Sequence, residues 1–122
     1  MDCIFCKIME GEISSYTIYE DELVKVFLDV NPSNNGHMLI VPKNHTLNLD
    51  TIDSSTLMHI MDIAKQMKKL VEDRLHADGV TLLQNNGIAQ DVKHFHLHVI
   101  PKYSIEQAIL PIDEIFQKLK ES

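Results

Sequence analysis

The chain has 122 residues, of which 44% are hydrophobic and 24% charged, ordinary proportions for a globular protein, and we expect a single domain across 1–122. Its net charge of −7 argues against nucleic-acid binding, because such proteins normally present a basic face. No apolar run approaches the ~20 residues of a membrane span, and the first ten residues do not resemble a secretory signal, so we expect no membrane association and a cytoplasmic location.

The first elements in chain order are a cysteine pair and a β-hairpin. Cys3 and Cys6 form a Cys-x-x-Cys motif without the βαβ context of a redox pair, so they are either buried thiols or half of a zinc site. Residues 16–19 and 23–28 predict two strands, and NPSNNG (31–36) predicts a loop. HMLIVP (37–42) is a short apolar run of strand length.

One long amphipathic helix follows the third predicted strand. Asp53 or Ser54 is the expected N-cap, and Gly79 lies just past the last turn. We expect His59 and His76 to be ordinary surface residues. The apolar stripe, which faces the core or a dimer interface, repeats at spacings of three and four: Leu57, Ile60, Met61, Ala64, Met67, Val71 and Leu75.

Strands resume after this helix. Residues 80–84 and 94–101 predict two strands around an NNG turn signal. The tail (110–122) predicts a short amphipathic helix whose apolar side carries Ile112, Ile115, Phe116 and Leu119. Because strands precede and follow one long helix without βαβ alternation, the order predicts an α+β domain on an antiparallel sheet of about five strands.

The segment HFHLHV (94–99) alternates histidine with large apolar residues. In a strand, alternate side chains point to opposite faces, so two sets separate: His94, His96 and His98 against Phe95, Leu97 and Val99. The apolar set attaches the strand to a core, and a one-residue slip in register would bury the imidazoles instead. Two chemistries fit the histidines. They could ligate zinc, or one neutral imidazole could attack a phosphorus centre without needing a base.

Five segments in order closely resemble the histidine triad (HIT) family, whose signature is His-x-His-x-His followed by apolar residues: CIFCKI, YEDE, FLDVNPSNNGHMLIVPKNH, NNG and QDVKHFHLHVIPKY. The resemblance runs from residue 3 to about 103 and looks closest to the bacterial short-chain branch. It implies the HIT-like fold, a homodimer, and hydrolysis of a purine nucleoside phosphoramidate or related nucleotide ester through a nucleotidyl-histidine. The tail from residue 104 onward has no counterpart in this resemblance.

The resemblance also assigns roles to individual residues. His96 corresponds to the nucleophile, His98 to the histidine beside the phosphoryl oxygens, and His37 to an additional active-site histidine. Asp29 corresponds to the carboxylate that holds the ribose hydroxyls. The remaining nucleotide-binding candidates are polar residues near the phosphate or leaving group and apolar residues near the base, for which core packing is an equal alternative: Asn85, Gln90, Asp91, Phe5, Ile8, Phe27 and Val30.

A structural zinc ion is implied by the same resemblance. Many bacterial members bind zinc through an N-terminal Cys-x-x-Cys, the first triad histidine and a histidine after the IPK segment. The corresponding residues here are Cys3, Cys6, His45 and His94. Four such ligands leave no open coordination position, which is typical of a structural rather than a catalytic zinc.

This chain departs from the family pattern at two places. Asp91 stands where serine is usual, and a carboxylate can only accept hydrogen bonds and repels phosphate. We therefore expect slower phosphoramidate turnover or a preference for a protonated amine leaving group. The segment 85–90 is also about two residues shorter than in close relatives, which puts the roles of Asn85 and Gln90 in question. The alternatives are a dinucleoside polyphosphate hydrolase, a nucleotide-binding regulator with little catalysis, and a metallohydrolase.

Overall fold

The computed structural model describes residues 3–120, within which a five-stranded antiparallel sheet carries three α-helices. The strands are β1 (Thr17–Glu20), β2 (Val24–Leu28), β3 (Met38–Pro42), β4 (Gly79–Leu83) and β5 (Leu97–Lys102), in the order β1-β2-β3-β5-β4. The helices are α1 (Ile4–Met9), α2 (Ser54–Leu75) and α3 (Ile112–Lys120). The predicted α+β class and antiparallel sheet are confirmed. No helix within the described range is long and apolar enough to cross a membrane.

The two faces of the sheet bury two separate apolar clusters. Alternate residues of β2 and β3, among them Val26 and Ile40, face the larger cluster beneath α2 and α3. Their neighbours Phe27 and Leu39 face the opposite side, where the short helix α1 covers them. No pattern in the sequence indicated α1, because six residues are too few to show helical periodicity.

Helix α2 follows the predicted pattern except at its C-terminal cap and at one position of its apolar stripe. Asp53 is the N-cap, since its carboxylate accepts the Thr56 N–H at 3.0 Å. At the other end His76, not Gly79, takes the left-handed conformation (φ 58°), because Gly79 already begins β4. The stripe was wrong at one position: Met61 is 42% exposed. The buried residues are Ile60, Ile63, Ala64, Met67 and Val71.

His59 is a paired residue rather than an ordinary surface histidine. Its Nε2 lies 2.6 Å from the Asp21 carboxylate in the β1–β2 turn, which ties α2 to that hairpin. Burial raises the pKa of Asp21, but hydrogen bonds from His59, Tyr19 and two backbone N–H groups outweigh burial and hold the pKa well below its usual range. His76 is exposed, as expected, but it forms the helix C-cap.

The predicted alternation of 94–99 holds, although β5 itself begins only at Leu97, which pairs with Ile40 of β3. Phe95 and Val99 are buried in the main core. The opposite face is not open, however, since His94 and His96 are also buried. The Phe5 ring of α1 makes edge contacts with both imidazoles, with centroids 5.8 and 5.0 Å away. Helix α1 therefore covers the side of this segment on which His94 and His96 lie.

The predicted tail helix is present as α3. Ile115 and Leu119 are buried against the main core, and Ile112 and Phe116 are partly buried, as the apolar side predicted. Residues 121 and 122 of the predicted helix lie outside the described range. Helix α3 packs against α2 and β1.

Gly36, immediately before His37, is expected to be intolerant of a side chain. Its φ is +89°, and an added Cβ would lie 2.5 Å from Leu75 Cδ1 and 3.2 Å from Pro101 Cγ. We predict that Gly36→Ala lowers the free energy of unfolding by about 2 kcal/mol or more, measured by urea denaturation. Gly79→Ala is the matched control, because no atom lies within 4 Å of its added Cβ. Equal stability of the two variants would contradict the prediction.

Candidate active site

A cavity of about 720 Å³ is enclosed by α1, strands β2 and β3, the loop after β2, and α3. Most of the residues predicted to bind a nucleotide line it, although they come from distant parts of the chain. The predicted residues in its wall are Phe5, Ile8, Phe27, Asp29, Val30, Asp91, His96 and His98. The size suits a small organic ligand, since such sites commonly span roughly 300–1,000 Å³.

His96 lies at the base of this cavity with its reactive nitrogen defined by a hydrogen bond. Its Nδ1 lies 2.8 Å from the His94 carbonyl oxygen. Because a carbonyl can only accept, Nδ1 carries the proton and Nε2 carries the lone pair in the neutral ring. The side chain is buried, which restrains the imidazole in this orientation. This arrangement leaves the Nε2 lone pair without a proton and therefore chemically able to act as a nucleophile.

His37 and His98 form a directed pair beside His96. The Ser33 N–H donates to His37 Nδ1 at 3.0 Å, so the His37 proton lies on Nε2. This Nε2 lies 2.9 Å from His98 Nδ1, to which it donates. His98 then keeps its own proton on Nε2, and His98 lines the cavity. One hydrogen-bond chain therefore leaves one imidazole N–H available to a ligand.

Burial keeps this pair neutral. Desolvation lowers the pKa of His37, against the opposing effect of Asp29, and desolvation together with His96 and His37 lowers the pKa of His98. Both rings are therefore uncharged at pH 7 and act as hydrogen-bond donors rather than as cations. Asp29 lies 3.6 Å from His37 Nε2 and accepts the Asn31 N–H at 2.9 Å.

Asp29, His37 and His98 also lie close enough together to hold a metal ion. The hydrogen bonds from Ser33 to His37 and from His37 to His98 already account for the facing ring nitrogens of both histidines. The two histidines therefore have hydrogen-bond partners at these nitrogens without a metal ion.

Four predicted metal ligands do converge at the other end of the histidine segment. The ligand atoms of Cys3, Cys6, His45 and His94 all lie within 4.8 Å of one another. His94 Nδ1 is 3.3 Å from Cys3 Sγ and 3.5 Å from Cys6 Sγ, and His45 Nδ1 is 3.2 Å from Cys6 Sγ. Two sulfur and two imidazole donors at this spacing are a set that could hold a metal ion, and they fit zinc.

The surroundings orient these ligands. His94 Nε2 lies 2.8 Å from the Pro42 carbonyl oxygen, so Nε2 carries the proton and Nδ1 presents its lone pair to the cysteines. The Phe95 N–H donates to the Thr46 backbone carbonyl oxygen at 2.7 Å, which brings the 43–52 loop and His45 beside His94. Cys3 also caps α1 through its sulfur, so the short helix begins at the metal-ligand cluster.

Asn85 and Gln90 do not reach the cavity. Neither lines its wall, and the Gln90 side chain is buried and donates to the Leu47 carbonyl oxygen instead. Their predicted phosphate contacts therefore have no support in this structure. The short 85–90 segment explains the difference, because it turns at Gly87 (φ 64°) and directs Gln90 toward the 43–52 loop.

Two aromatic residues of the cavity wall were missed. Tyr16, before β1, and Phe116, on α3, pack edge to face with centroids 5.4 Å apart, and both line the cavity. The sequence marked Phe116 as part of an apolar helix side, which predicts burial but not a cavity. Only the packing of α3 on β1 reveals that this ring extends past the core to the site.

Comparison with known proteins agrees with this arrangement. The family model described as HIT domain matches residues 10–105. A HIT-like protein of Methanocaldococcus jannaschii is 42% identical over 117 residues, covering 93% of this chain and 88% of that protein. An adenosine 5′-monophosphoramidase of Saccharomyces cerevisiae is 44% identical over 102 residues, covering 82% of this chain and 62% of that protein.

Solved structures share the fold. A zinc-bound histidine triad family protein from Mycobacterium smegmatis superposes with a TM-score of 0.90 at 33% identity, covering 98% of this chain and 91% of that chain. A histidine triad nucleotide-binding protein from Sulfolobus tokodaii gives a TM-score of 0.86 at 32% identity, covering 96% and 86%. The predicted HIT-like fold is confirmed, and the chain belongs to the histidine triad (HIT) family.

Proposed function

We propose that this protein hydrolyses purine nucleoside phosphoramidates or related nucleotide esters and releases a nucleoside monophosphate. The observation that carries the proposal is the unprotonated Nε2 of His96, which is directed by the His94 carbonyl at the base of a nucleotide-sized cavity. The relatives named adenosine 5′-monophosphoramidase, from Saccharomyces cerevisiae and Candida albicans, support this substrate class.

In the proposed first step, His96 Nε2 attacks the α-phosphorus, a P–Nε2 bond forms, and the bond from phosphorus to the leaving amine breaks. The departing nitrogen takes a proton from solvent. The imidazole becomes positively charged, and the carbonyl that accepts its Nδ1–H stabilises that charge. Water then attacks the phosphorus, the P–Nε2 bond breaks with its electron pair returning to Nε2, and a proton of the water is released to solvent. The monophosphate and the neutral ring are the products.

His98 stabilises the charge that develops on the phosphoryl oxygens. Its Nε2–H is the donor left free by the chain from Ser33 through His37, so the orientation is set before substrate arrives. His37 acts through His98 and is a positioning residue. Asp29 would accept hydrogen bonds from the ribose hydroxyls, since its carboxylate lines the same cavity.

The nucleobase would occupy the apolar part of the cavity. Phe5 and Phe27 form an edge-to-face pair with centroids 5.7 Å apart, next to Ile8. Val30 is 72% exposed and therefore offers an uncovered apolar surface to a ligand. The Tyr16–Phe116 pair adds a second aromatic wall, and two aromatic walls favour a flat purine ring.

We also propose a structural zinc ion held by Cys3, Cys6, His45 and His94. When bound, zinc would supply a crosslink among α1, the 43–52 loop and the histidine segment. The site is separate from the nucleophile, but the two are connected, because the carbonyl of the ligand His94 orients His96. The zinc-bound relative from Mycobacterium smegmatis supports this assignment.

A cytoplasmic homodimer remains the proposed assembly. Strand β4 is an edge of the sheet, and its Leu82 and Leu83 are 41% and 43% exposed. An apolar sheet edge of this kind can pair with a second copy, which would extend the sheet across the interface as the family resemblance implies.

Removal of the nucleophile is the central test of the proposed function. We predict that His96→Gly reduces release of nucleoside monophosphate from adenosine 5′-phosphoramidate at least about 10³-fold, because no other group in the wall has an equivalent lone pair. Product is measured by chromatography, and binding of adenosine monophosphate shows that the cavity is intact. Undiminished product release by a variant that still binds nucleotide would contradict the proposed nucleophile.

Loss of a zinc ligand is expected to lower stability rather than chemistry. We predict about one zinc per chain by elemental analysis, and that His45→Asn loses the metal and lowers the thermal midpoint by roughly 5 °C or more. His76→Asn is the matched control, because His76 is also exposed and asparagine tolerates its left-handed backbone. Complete loss of activity in a folded, metal-free variant at low temperature would instead identify a catalytic metal.

Truncation at Phe116 is expected to weaken substrate binding. We predict that Phe116→Ala raises KM for adenosine 5′-phosphoramidate about three- to tenfold, with a smaller change in kcat, because the ring contacts the nucleoside and not the phosphorus. Phe116→Tyr keeps the aromatic wall and serves as the control. A fall in kcat with an unchanged KM would contradict the assignment of Phe116 to the nucleoside end.

A further inference from the structure

The cavity that would receive an anionic substrate is itself acidic. Its wall contains two carboxylates, Asp29 and Asp91, and no lysine or arginine among residues 3–120 lines it. The chain as a whole also carries a net charge of −7. Phosphate groups are ordinarily bound by cationic side chains or by several N–H donors, and two carboxylates oppose such binding. A positive charge is therefore missing from the site.

Asp91 is the carboxylate nearest the reacting position. Its Oδ1 lies 3.4 Å from His96 Nε2, and the side chain is 76% exposed. The Val92 N–H donates to the same oxygen at 2.8 Å, which restrains the carboxylate over the nucleophile. The distance to Nε2 exceeds the roughly 2.7–2.9 Å of a charge-assisted hydrogen bond, so the imidazole does not satisfy the carboxylate.

The lysine beside Asp91 does not supply the missing charge. Lys93 Nζ donates to the carbonyl oxygens of Gly87 and Gln90, both at 2.9 Å, so its ammonium is held in the 87–90 turn. Lys93 does not line the cavity. The carboxylate of Asp91 thus faces the reaction centre without a cationic partner among the described residues.

We propose that Asp91 selects substrates whose leaving group carries a positive charge close to the scissile bond. The class is nucleoside 5′-phosphoramidates of amines with a second, protonated amino group, such as diamines. The attacked phosphorus must lie roughly 3–3.5 Å from His96 Nε2, which places the leaving group within reach of the Asp91 carboxylate. An ammonium there offsets both the carboxylate and the phosphate charge.

The proposal rests on the proposed function, and a matched pair of substrates tests it. Adenosine 5′-phosphoramidates of 1,2-diaminoethane and of propylamine differ only in a terminal ammonium in place of a methyl group. We expect kcat/KM to be about two- to fivefold higher for the ammonium substrate at low salt, the effect of one exposed ion pair, and the ratio to shrink as sodium chloride is added.

Asp91→Asn is expected to bring the ratio of the two kcat/KM values close to one, by lowering the rate for the ammonium substrate and raising it for the propyl substrate. Asp62→Asn is the matched control, because Asp62 is an exposed carboxylate on α2, which does not line the cavity. This control removes the same charge from the protein and should keep the preference.

Three outcomes would overturn the inference. They are an absence of preference in the parent protein, a preference that survives in Asp91→Asn, and equalisation of the two substrates by millimolar Mg²⁺, which would show that a metal ion supplies the charge. Failure of the proposed function is distinguishable, because neither substrate would then release adenosine monophosphate.

Discussion

The site depends on the alternation of one segment, 94–99, between the two faces of the sheet. Phe95, Leu97 and Val99 are fixed in the main core, with at most 6% of each residue exposed, so the three histidines that alternate with them must point to the opposite face of the sheet. Their environments then diverge along the segment. His94 meets the cysteines, His96 meets the base of the cavity, and His98 meets His37. One packing constraint thus positions the three rings for their proposed roles as metal ligand, nucleophile and hydrogen-bond donor.

Backbone groups set the tautomer of each ring, so that His96 carries its proton on Nδ1 whereas His94 and His98 carry theirs on Nε2. The carbonyl of Pro42, at the end of β3, places the His94 proton on Nε2, whereas the carbonyl of His94 places the His96 proton on Nδ1. The N–H of Ser33 sets His37, which lies just before β3, and thereby sets His98. Because β3 pairs with β5, Pro42 at the end of β3 contacts His94, and His37 just before β3 contacts His98.

The parts that sequence predicted are those governed by periodicity. Alternation identified the buried side of 94–99, and spacings of three and four identified α2, though not that Ile63 would replace Met61 in the core. Contacts between segments that are distant in the sequence have no such periodic signal and were not predicted from it. The turn at Gly87 diverts Gln90 to Leu47, and the packing of α3 carries Phe116 into the cavity. Both contacts depend on how distant loops and helices pack together, which cannot be predicted from the periodicity of a single sequence.

The chemistry and the cavity walls come from different parts of the chain. The HIT domain match covers residues 10–105, which include Asp91 and the five histidines proposed for the active site and the metal site: His37, His45, His94, His96 and His98. The walls are completed by α1, with Phe5 and Ile8, and by α3, with Phe116, and both helices lie outside that match. Substitutions in α3 can therefore reshape the cavity wall around Phe116, whereas substitution of Phe5 in α1 would also alter the contact with the His96 ring, whose centroid lies 5.0 Å away.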